Sequence, residues 1–276
     1  MRVVETVADF RRACGAARRP LGLVPTMGGL HAGHLALVKR SKAECATTAA
    51  TIFVNPAQFG PKEDFNTYPR NLWTDLDMFE SEGVDLVFTP PVEEVYPTAF
   101  DTWVNVGKVS SRLEGEARPG HFRGVATVVT KLLAIARPDR AYFGQKDAQQ
   151  CLVIKQLNDD LALGAVVVIV PTVREPDGLA LSSRNVNLRP DERRAAPVLY
   201  RALCLAQKMQ REGTNDAEAI CRAMREEVGK ERLAQVDYVS ISDAATLEDL
   251  ERVDRPALAL LAVRIGKTRL IDNIAL

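Results

Sequence analysis

The three histidines of this 276-residue chain all lie near glycines, which makes them the first candidates for chemistry. His31 and His34 stand three residues apart in "PTMGGLHAGHLALV", residues 25–38, and His121 lies in "RPGHFRG". A spacing of three places both side chains on one face at a helix start. Imidazoles there can donate hydrogen bonds or a proton to phosphate oxygens. The alternative is two solvated histidines at the start of a helix.

The residues before this helix predict a tight turn that could hold an anion. Gly28 and Gly29 follow a predicted strand, "LGLVP", and the amide groups at a helix N-terminus favour phosphate. The loop matches neither GxGxxG nor GxxxxGK[ST], which excludes the usual dinucleotide and P-loop motifs.

Neutral amides dominate the second candidate stretch, "FVNPAQFGPKEDFNTYPR", residues 53–70. Asn55 and Gln58 suit the recognition of hydroxyls or a carboxylate without added charge. Ordinary turn chemistry is the alternative, because Asn-Pro commonly begins a turn.

Charged and hydroxyl side chains mark two further stretches. In "YFGQKDAQQ", residues 142–150, Lys146 suits a phosphate and Asp147 suits a ribose. Gln150 should lie on the same helical face as Lys146, at i, i+4. In "LALSSRN", residues 179–185, Ser182, Ser183 and Arg184 suit a triphosphate whose negative charge grows on a leaving pyrophosphate. A charged helix start and a solvated linker are the respective alternatives.

Strands that alternate with helices must position these residues. Predicted strands are "LGLVP" (21–25), "TIFV" (51–54), "DLVFTP" (85–90), "AYFG" (141–144) and "AVVVIVPTV" (165–173), with helical patterns between them. This order predicts an α/β fold, a Rossmann-like parallel sheet with helices on both faces. Ligands of such sheets bind beyond the carboxyl ends of the strands, so one edge should gather the four stretches.

The chain after "REPDGLALSSRN" has a different pattern. Two helical patterns occupy residues 190–230, followed by three predicted strands, the last two joined in a hairpin at Gly266–Lys267. We therefore predict two domains. Residues 1–175 form the Rossmann-like domain, and residues 176–276 form a smaller C-terminal α+β domain, a lid with a hairpin.

Composition excludes several classes of protein. Lys and Arg total 36, as do Asp and Glu, and both halves of the chain are balanced, so a general nucleic-acid binder is not expected. Five dispersed cysteines without a CxxC pair predict neither a disulfide framework nor a zinc site. The apolar runs "AVVVIV" and "ALALLAV" are too short to span a bilayer, and the N-terminus lacks a signal-peptide core. We expect a cytoplasmic protein with no membrane or nucleic-acid partner.

Five long motifs together resemble the pantoate–β-alanine ligase (pantothenate synthetase) family of the HIGH-type nucleotidyl-transfer superfamily. They occur in the family's order between residues 25 and 185: "PTMGGLHAGH", "FVNPAQFGPKEDFNTYPR", "RPGHFRGV", "YFGQKDAQQ" and "PTVREPDGLALSSRN". The resemblance implies an AMP-forming ligation in pantothenate and coenzyme A biosynthesis. Pantoate attacks the α-phosphate of Mg-ATP to form pantoyl adenylate and pyrophosphate, and the amine of β-alanine then displaces AMP. It also implies a homodimer, with ATP as co-substrate, Mg²⁺, and small molecules as the binding partners.

The resemblance also implies a role for each matching residue. His34, with His31 and Lys146, stabilises charge on the phosphates, and His34 occupies the family's proton-donor position. The ATP-binding set comprises Met27, Gly28, Gly29, Leu30, His31, Ala32, Gly33, His34, Gly144, Gln145, Lys146, Asp147, Val173, Leu181, Ser182, Ser183 and Arg184. The set for pantoate and β-alanine comprises Pro25, Thr26, Met27, Asn55, Gln58, Arg118, His121, Phe143 and Gln150.

Three residues depart from the usual wording of the family's motifs. Gly29 replaces Ala, Ala32 replaces Glu, and Leu181 replaces Met. None of the three changes removes a reactive group. An extra glycine loosens a loop by up to about 1 kcal/mol.

Two other functions compete with the ligase. A nucleotidyltransferase that joins AMP to a phosphorylated acceptor would keep the histidine loop, but it would need cations where this chain has neutral amides. A non-catalytic adenylate- or tRNA-binding module would have no use for the His–His–Lys set, and the balanced charge disfavours tRNA.

Overall fold

A computed structural model describes residues 1–61 and 63–276, which cluster into two compact units. The first unit comprises Met1–Gly144 and Gln149–Pro171. The second comprises Gln145–Ala148 and Thr172–Leu276. The short segment Gln145–Ala148, which contains Lys146, thus clusters with the C-terminal residues rather than with its chain neighbours.

A parallel sheet forms the centre of the first unit. Its strands are β1 Arg2–Val4, β2 Leu21–Thr26, β3 Thr47–Ile52, β4 Leu86–Phe88, β5 Arg140–Gly144 and β6 Val166–Val170. They lie in the order β1-β4-β3-β2-β5-β6 and all pair in parallel. The order reverses at β2, since β3 and β4 lie on one side of it and β5 and β6 on the other. Ligands of open parallel sheets bind at such a reversal, outside the carboxyl ends of the strands.

Helices cover both faces of the sheet, because alternate residues of its strands enter two separate cores. The helices of this part of the chain are α1 Val7–Gly15, α2 Ala32–Glu44, α3 Leu72–Ser81, α4 Val92–Val95, α5 Glu114–Ala117, α6 His121–Ala136 and α7 Ala148–Asp160. Leu23 packs in one core with residues of α1, α6 and α7, whereas Val24 packs in the other with residues of α2 and α3. The predicted Rossmann-like architecture is confirmed.

The second predicted strand, "TIFV", is wrong in its position. β3 spans Thr47–Ile52 and pairs with β2 residue by residue, from Leu21 opposite Thr47 to Thr26 opposite Ile52. Its composition concealed it, because threonines and alanines rather than large apolar residues fill this central strand. β-branched threonine favours strands.

Three antiparallel strands and three helices form the C-terminal part of the second unit. The strands are β7 Ala234–Asp243, β8 Ala257–Ile265 and β9 Thr268–Ala275, in the order β7-β8-β9. The α+β architecture and the hairpin at Gly266–Lys267 are confirmed. The expectation of two helical segments is wrong, because Pro197 separates α8 Pro190–Ala195 from α9 Val198–Arg211, ahead of α10 Ala217–Gly229.

Within the described residues, none of the helices has the length and apolar character needed to cross a membrane.

Candidate active site

The loop after β2 turns through two glycines in the left-handed conformation. Gly28 has φ +80° and Gly29 has φ +61°, values that other residues rarely adopt. A Cβ atom at Gly28 would also lie 2.8 Å from Oδ2 of Asp75, so space as well as conformation requires glycine there. The Thr26 hydroxyl accepts a hydrogen bond from the Gly28 amide at 3.2 Å and donates one to the Thr51 carbonyl at 2.6 Å. These bonds tie the loop to β3.

A buried carboxylate from α3 holds the other side of this loop. Asp75 is 3% exposed, and its Oδ2 and Oδ1 accept hydrogen bonds from the amides of Gly29 at 2.9 Å and Leu30 at 2.8 Å. Hydrogen bonds to an ionised acceptor are the strong ones. The protein itself therefore uses these two amides, and Asp75 sets the shape of the loop. The local pattern gave no signal for Asp75, which lies 46 residues from Gly29.

The two histidines of the loop lie together, but they occupy different local positions. His31 is extended, with φ −146° and ψ 174°, and caps α2 by accepting the Gly33 amide at Nδ1 over 3.1 Å. His34 lies in the first turn, and the two ring centroids are 4.1 Å apart. The expectation that both lie on a helical face is therefore wrong for His31, which precedes the helix. Because Nδ1 accepts, a neutral His31 carries its proton on Nε2.

Asn55, which follows β3 after Phe53 and Val54, uses its whole hydrogen-bonding capacity inside the protein. Its Nδ2 donates to Oε1 of Gln58 at 3.0 Å and to the Gly124 carbonyl at 3.1 Å. Its Oδ1 accepts from the Ala57 amide at 3.2 Å and from the Tyr96 hydroxyl at 2.8 Å. An amide side chain offers two donors and two acceptor sites. Asn55 is therefore placed to orient Gln58.

Gln58 lies between two other predicted site residues. It is 9% exposed, and one N–H of its Nε2 faces Sδ of Met27 at 3.0 Å, while Asn55 holds its Oε1. A thioether is a weak acceptor, so this contact costs little to replace. The amide is thus pre-oriented by neutral neighbours that follow β2 and β3.

A chain of hydrogen bonds joins Arg118 and His121 to the backbone of Gln58. Glu63 accepts two bonds from Arg118, at 2.8 and 2.7 Å, and Arg118 faces Nε2 of His121 at 3.0 Å. Nδ1 of His121 lies 2.9 Å from the Gln58 carbonyl. Burial, together with the charge of Arg118, lowers the pKa of His121 to about 4. Burial alone would raise the pKa of Glu63, but the hydrogen bonds and charge of Arg118 hold it below its usual value.

The two glutamines at the start of α7 differ in their surroundings. Gln149 is 4% exposed, and its amide accepts from the Glu114 backbone at 3.0 Å and donates to the carbonyls of Val109 and Arg112. Gln149 therefore holds the segment before α5. Gln150, the predicted substrate residue, is only half-buried.

Of the other predicted substrate residues, Phe143 is buried in the core on one face of the sheet, while Pro25 is half-buried near the end of β2. Gly144 is the last residue of β5. The segments that begin at Pro25, Asn55 and Phe143 thus leave the three neighbouring strands β2, β3 and β5.

In the second unit, a 3₁₀ turn over Gln145–Asp147 carries the predicted phosphate and ribose residues. Nζ of Lys146 donates to Oδ1 of Asp147 at 3.3 Å. Lys146 is therefore in a turn before α7, so its predicted i, i+4 relation to Gln150 on one helix is wrong. Both side-chain and backbone atoms of the turn are bonded to Asn273 of β9.

Residues 173–184 form a folded segment rather than a plain linker. The Leu181 amide donates to the Val173 carbonyl at 3.0 Å, so these two residues of the predicted ATP-binding set lie together. Ser182 caps a 3₁₀ turn over Ser183–Asn187 and accepts the Arg184 amide at 3.3 Å. These residues do not directly follow a strand of the parallel sheet, since β6 ends at Val170.

Among residues 1–61 and 63–276, no group of three or more His, Cys, Asp and Glu side chains is placed to hold a metal ion.

A family model, similar sequences and similar solved structures identify the family of this chain. The family model for Pantoate-beta-alanine ligase matches residues 2–275. A pantothenate synthetase from Roseiflexus sp. (strain RS-1) is 57% identical over 276 residues, which cover 100% of this chain and 99% of that protein. A crystal structure of the pantothenate synthetase from Thermus thermophilus superposes with a TM-score of 0.96 at 48% identity and covers 99% of both chains.

A third similar protein is the pantoate-beta-alanine ligase from Francisella tularensis, crystallised in complex with Beta-gamma ATP and Beta-alanine. It has a TM-score of 0.81 and 34% identity, over 99% of this chain and 97% of that one. The family model and these similar proteins each match nearly the full length of this chain. This chain belongs to the pantoate-beta-alanine ligase family and is a ligase that joins pantoate to β-alanine.

Proposed function

We propose that the chain makes pantothenate in two steps. The carboxylate of (R)-pantoate attacks the α-phosphorus of ATP and expels pyrophosphate, which leaves pantoyl adenylate bound to the enzyme. The β-alanine amine then attacks the acyl carbon, the C–N bond forms, and AMP leaves with the C–O electron pair. The observation that carries this proposal is the placement of side chains after three neighbouring strands. Two histidines, whose N–H groups suit phosphates, follow β2. Neutral amide side chains follow β3 and β5 on either side of it.

We assign pantoate to the residues beyond β3, β2 and β5. Its two hydroxyls and its carboxylate suit the amides of Gln58 and Gln150, which add no charge that would compete for the attacking carboxylate. Asn55, whose four hydrogen bonds are internal, orients Gln58. The methyl groups of pantoate suit apolar surfaces, which we assign to Pro25, Met27 and Phe143, with Thr26 holding the loop.

ATP suits the donors that follow β2 in the first unit. His31 and His34 supply N–H groups toward charge that develops on the phosphates, where a pre-oriented donor stabilises the transition state. Gly28, Ala32 and Gly33 are small, so the backbone can approach the phosphates closely. We assign Met27 to the same ATP-binding loop. Gly29 and Leu30 contribute the loop's shape, because their amides bond to Asp75.

In the second unit we assign Lys146 to the phosphates and Ser182, Ser183 and Arg184 to the departing pyrophosphate. Asp147 and Gln145 suit the ribose hydroxyls, and we assign Gly144, the last residue of β5, to the same substrate group. Val173 and Leu181, joined by a backbone hydrogen bond, suit the adenine.

Mg²⁺ belongs to the nucleotide substrate in this proposal. The ion typically keeps several waters and binds through substrate phosphates, so Mg-ATP is the form that reacts.

We assign Arg118 and His121 to the β-alanine side of the site. Glu63 already neutralises Arg118, and His121 is uncharged, so the pair adds little net field near an incoming amine. Their bonds hold the backbone of Gln58 in place.

The family resemblance supports a proposal about the subunit and domain organisation. We propose a cytoplasmic homodimer in which residues 1–175 bind ATP and pantoate and residues 176–276 form the smaller domain. Size-exclusion chromatography coupled to light scattering measures the molar mass in solution and tests the proposed dimer.

The decisive experiment measures AMP and pyrophosphate with ATP, pantoate and β-alanine, and with each omitted in turn. Labelled pyrophosphate should exchange into ATP when pantoate is present and β-alanine is absent. Net AMP should form only when all three substrates are present. Absence of that exchange would contradict the adenylate intermediate.

A further inference from the structure

Asn273, three residues from the end of the sequence, bonds to the turn that carries Lys146 and Asp147. Its Nδ2 donates to the carbonyls of Gln145 and Lys146, each at 2.9 Å, and its Oδ1 accepts from Nε2 of Gln145 at 2.9 Å. The residue is 3% exposed and lies 127 positions from Lys146. One buried side chain thus makes three hydrogen bonds to this short turn.

The residues around Asn273 hold it rigidly. The backbone N–H of Asn273 donates to Oδ1 of Asp272 at 2.8 Å, and Asn273 lies opposite Leu260 in the β8–β9 ladder. Arg174 binds both carboxylate oxygens of Asp272, at 2.6 and 2.9 Å, and stacks on the Tyr200 ring at 4.2 Å. Bidentate pairs of this kind fix geometry as well as charge.

The side-chain type fits a positioning role. Only an amide of this size offers two N–H donors for two carbonyls and an oxygen for the Gln145 amide. Asparagine is also disfavoured within strands, so its place in β9 calls for a reason beyond strand formation.

We propose that Asn273 is a positioning residue for Lys146. It fixes the backbone on both sides of the Lys146 α-carbon and so sets where the ammonium group points during adenylate formation. The inference rests on the proposed function, since it assumes that Lys146 acts on the phosphates of ATP.

A double-mutant cycle on pantoate-dependent exchange of pyrophosphate into ATP tests the proposal. Asn273→Ala should lower the exchange rate by about 10- to 100-fold, the cost of a misplaced catalytic group. In a Lys146→Ala background the same change should alter the rate by less than about twofold, because the group it positions is already gone. A merely structural role would lower the rate equally in both backgrounds and would overturn the proposal.

A matched control is Asn158→Ala, which removes another buried asparagine whose Oδ1 accepts the Ala165 amide. It should lower the thermal midpoint without any coupling to Lys146. Should Asn273→Ala fail to fold, Asn273→Asp keeps the side-chain size, places oxygen against the two carbonyls, and enters the same cycle.

The experiments distinguish a failure of the proposed function from a failure of the proposed role of Asn273. If the wild-type protein shows no exchange, adenylate formation is wrong. If Lys146→Ala exchanges normally, the assignment of Lys146 to the phosphates is wrong. If Lys146→Ala lowers exchange but Asn273→Ala leaves it unchanged, only the role of Asn273 is wrong.

Discussion

Arg118 donates a hydrogen bond to Nε2 of His121 at 3.0 Å, and this contact determines the state of the imidazole. Guanidinium groups only donate, so Nε2 must be the acceptor and the proton lies on Nδ1. That proton is donated to the Gln58 carbonyl, 2.9 Å away. The ring is therefore neutral, in agreement with its lowered pKa of about 4.

This state predicts an acid-sensitive stability. The folded pKa of His121 lies below the unfolded value of 6.5, so the unfolded chain binds more protons between those values. The contribution of the neutral His121 to the free energy of unfolding is intact above pH 6.5. It is lost as the pH falls toward 4, by up to about 3 kcal/mol. Urea unfolding of the wild type and of His121→Asn, which keeps a donor for Gln58, measures it. The advantage of wild type over the variant should shrink as the pH falls from about 7 to about 4.5; a constant difference would contradict a neutral buried ring.

Asp75 should be as important to the histidine loop as the glycines are. Asp75→Asn replaces one acceptor of a backbone amide by an N–H group, and loss of a buried bond to a charged group costs about 1.5–3 kcal/mol. Pyrophosphate exchange should fall as well, because the loop carries His31 and His34. Asp77→Asn, an exposed residue of the same helix, is the matched control. Equal stability of the two variants in urea would show that the Asp75 bonds contribute nothing.

The capping role of His31 can be separated from its role toward ATP by comparing two substitutions. His31→Ala removes the cap of α2 and should cost about 1 kcal/mol of stability, whereas His31→Asn restores a capping oxygen and should cost much less. Both variants lack the imidazole, so both should lose exchange activity to a similar extent. If the capped variant regains activity along with stability, His31 is a structural residue only.

His34 should behave as a reacting-group donor. His34→Ala should lower adenylate formation by roughly 10²–10³-fold, as expected for loss of a transition-state donor, with little change in the thermal midpoint. Single-turnover formation of pantoyl adenylate measures the step directly. A variant that unfolds yet keeps its rate per folded molecule would assign His34 to the fold instead.

Local sequence patterns located the strands whose side chains are large and apolar. "LGLVP" and "AYFG" identified β2 and β5, and the turn residues beyond them identified the candidate site. The position of β3 was predicted wrongly, because its buried residues Ala49 and Ala50 have little apolar surface of their own. Their burial follows from the pairing with β2, which no local window contains.

The residues that hold the candidate site in place were not predicted from the sequence, for a related reason. Asp75 and Asn273 act on residues 46 and 127 positions away, and each lies in a segment whose local pattern is that of an ordinary helix or strand. Charge at Glu63 gave no signal either, because its partner Arg118 lies 55 positions along the chain. Sequence reasoning proposed the groups that we assign to the substrates, since their types suit the chemistry. The groups that hold them are defined only by the folded topology.

Gln58 and Gln150 provide the sharpest test of the pantoate assignment. Loss of one partner of a buried polar contact costs about 1–3 kcal/mol, so Gln150→Ala and Gln58→Ala should each raise the pantoate Kd by roughly 5- to 150-fold. The ATP Kd should be nearly unchanged. Gln58→Ala should also lower stability, because it removes the acceptor of Asn55.

The matched control for both variants is Gln149→Ala, next to Gln150 on α7. Its amide bonds only to backbone groups of residues 109–114 among the contacts described, so its loss should lower the free energy of unfolding. On the folded fraction, its pantoate Kd should match the wild type. Calorimetric titration of each variant with pantoate and with ATP separates the cases. Equal losses for both ligands in Gln58→Ala and Gln150→Ala would assign the glutamines to the nucleotide, and pantoate would then bind elsewhere.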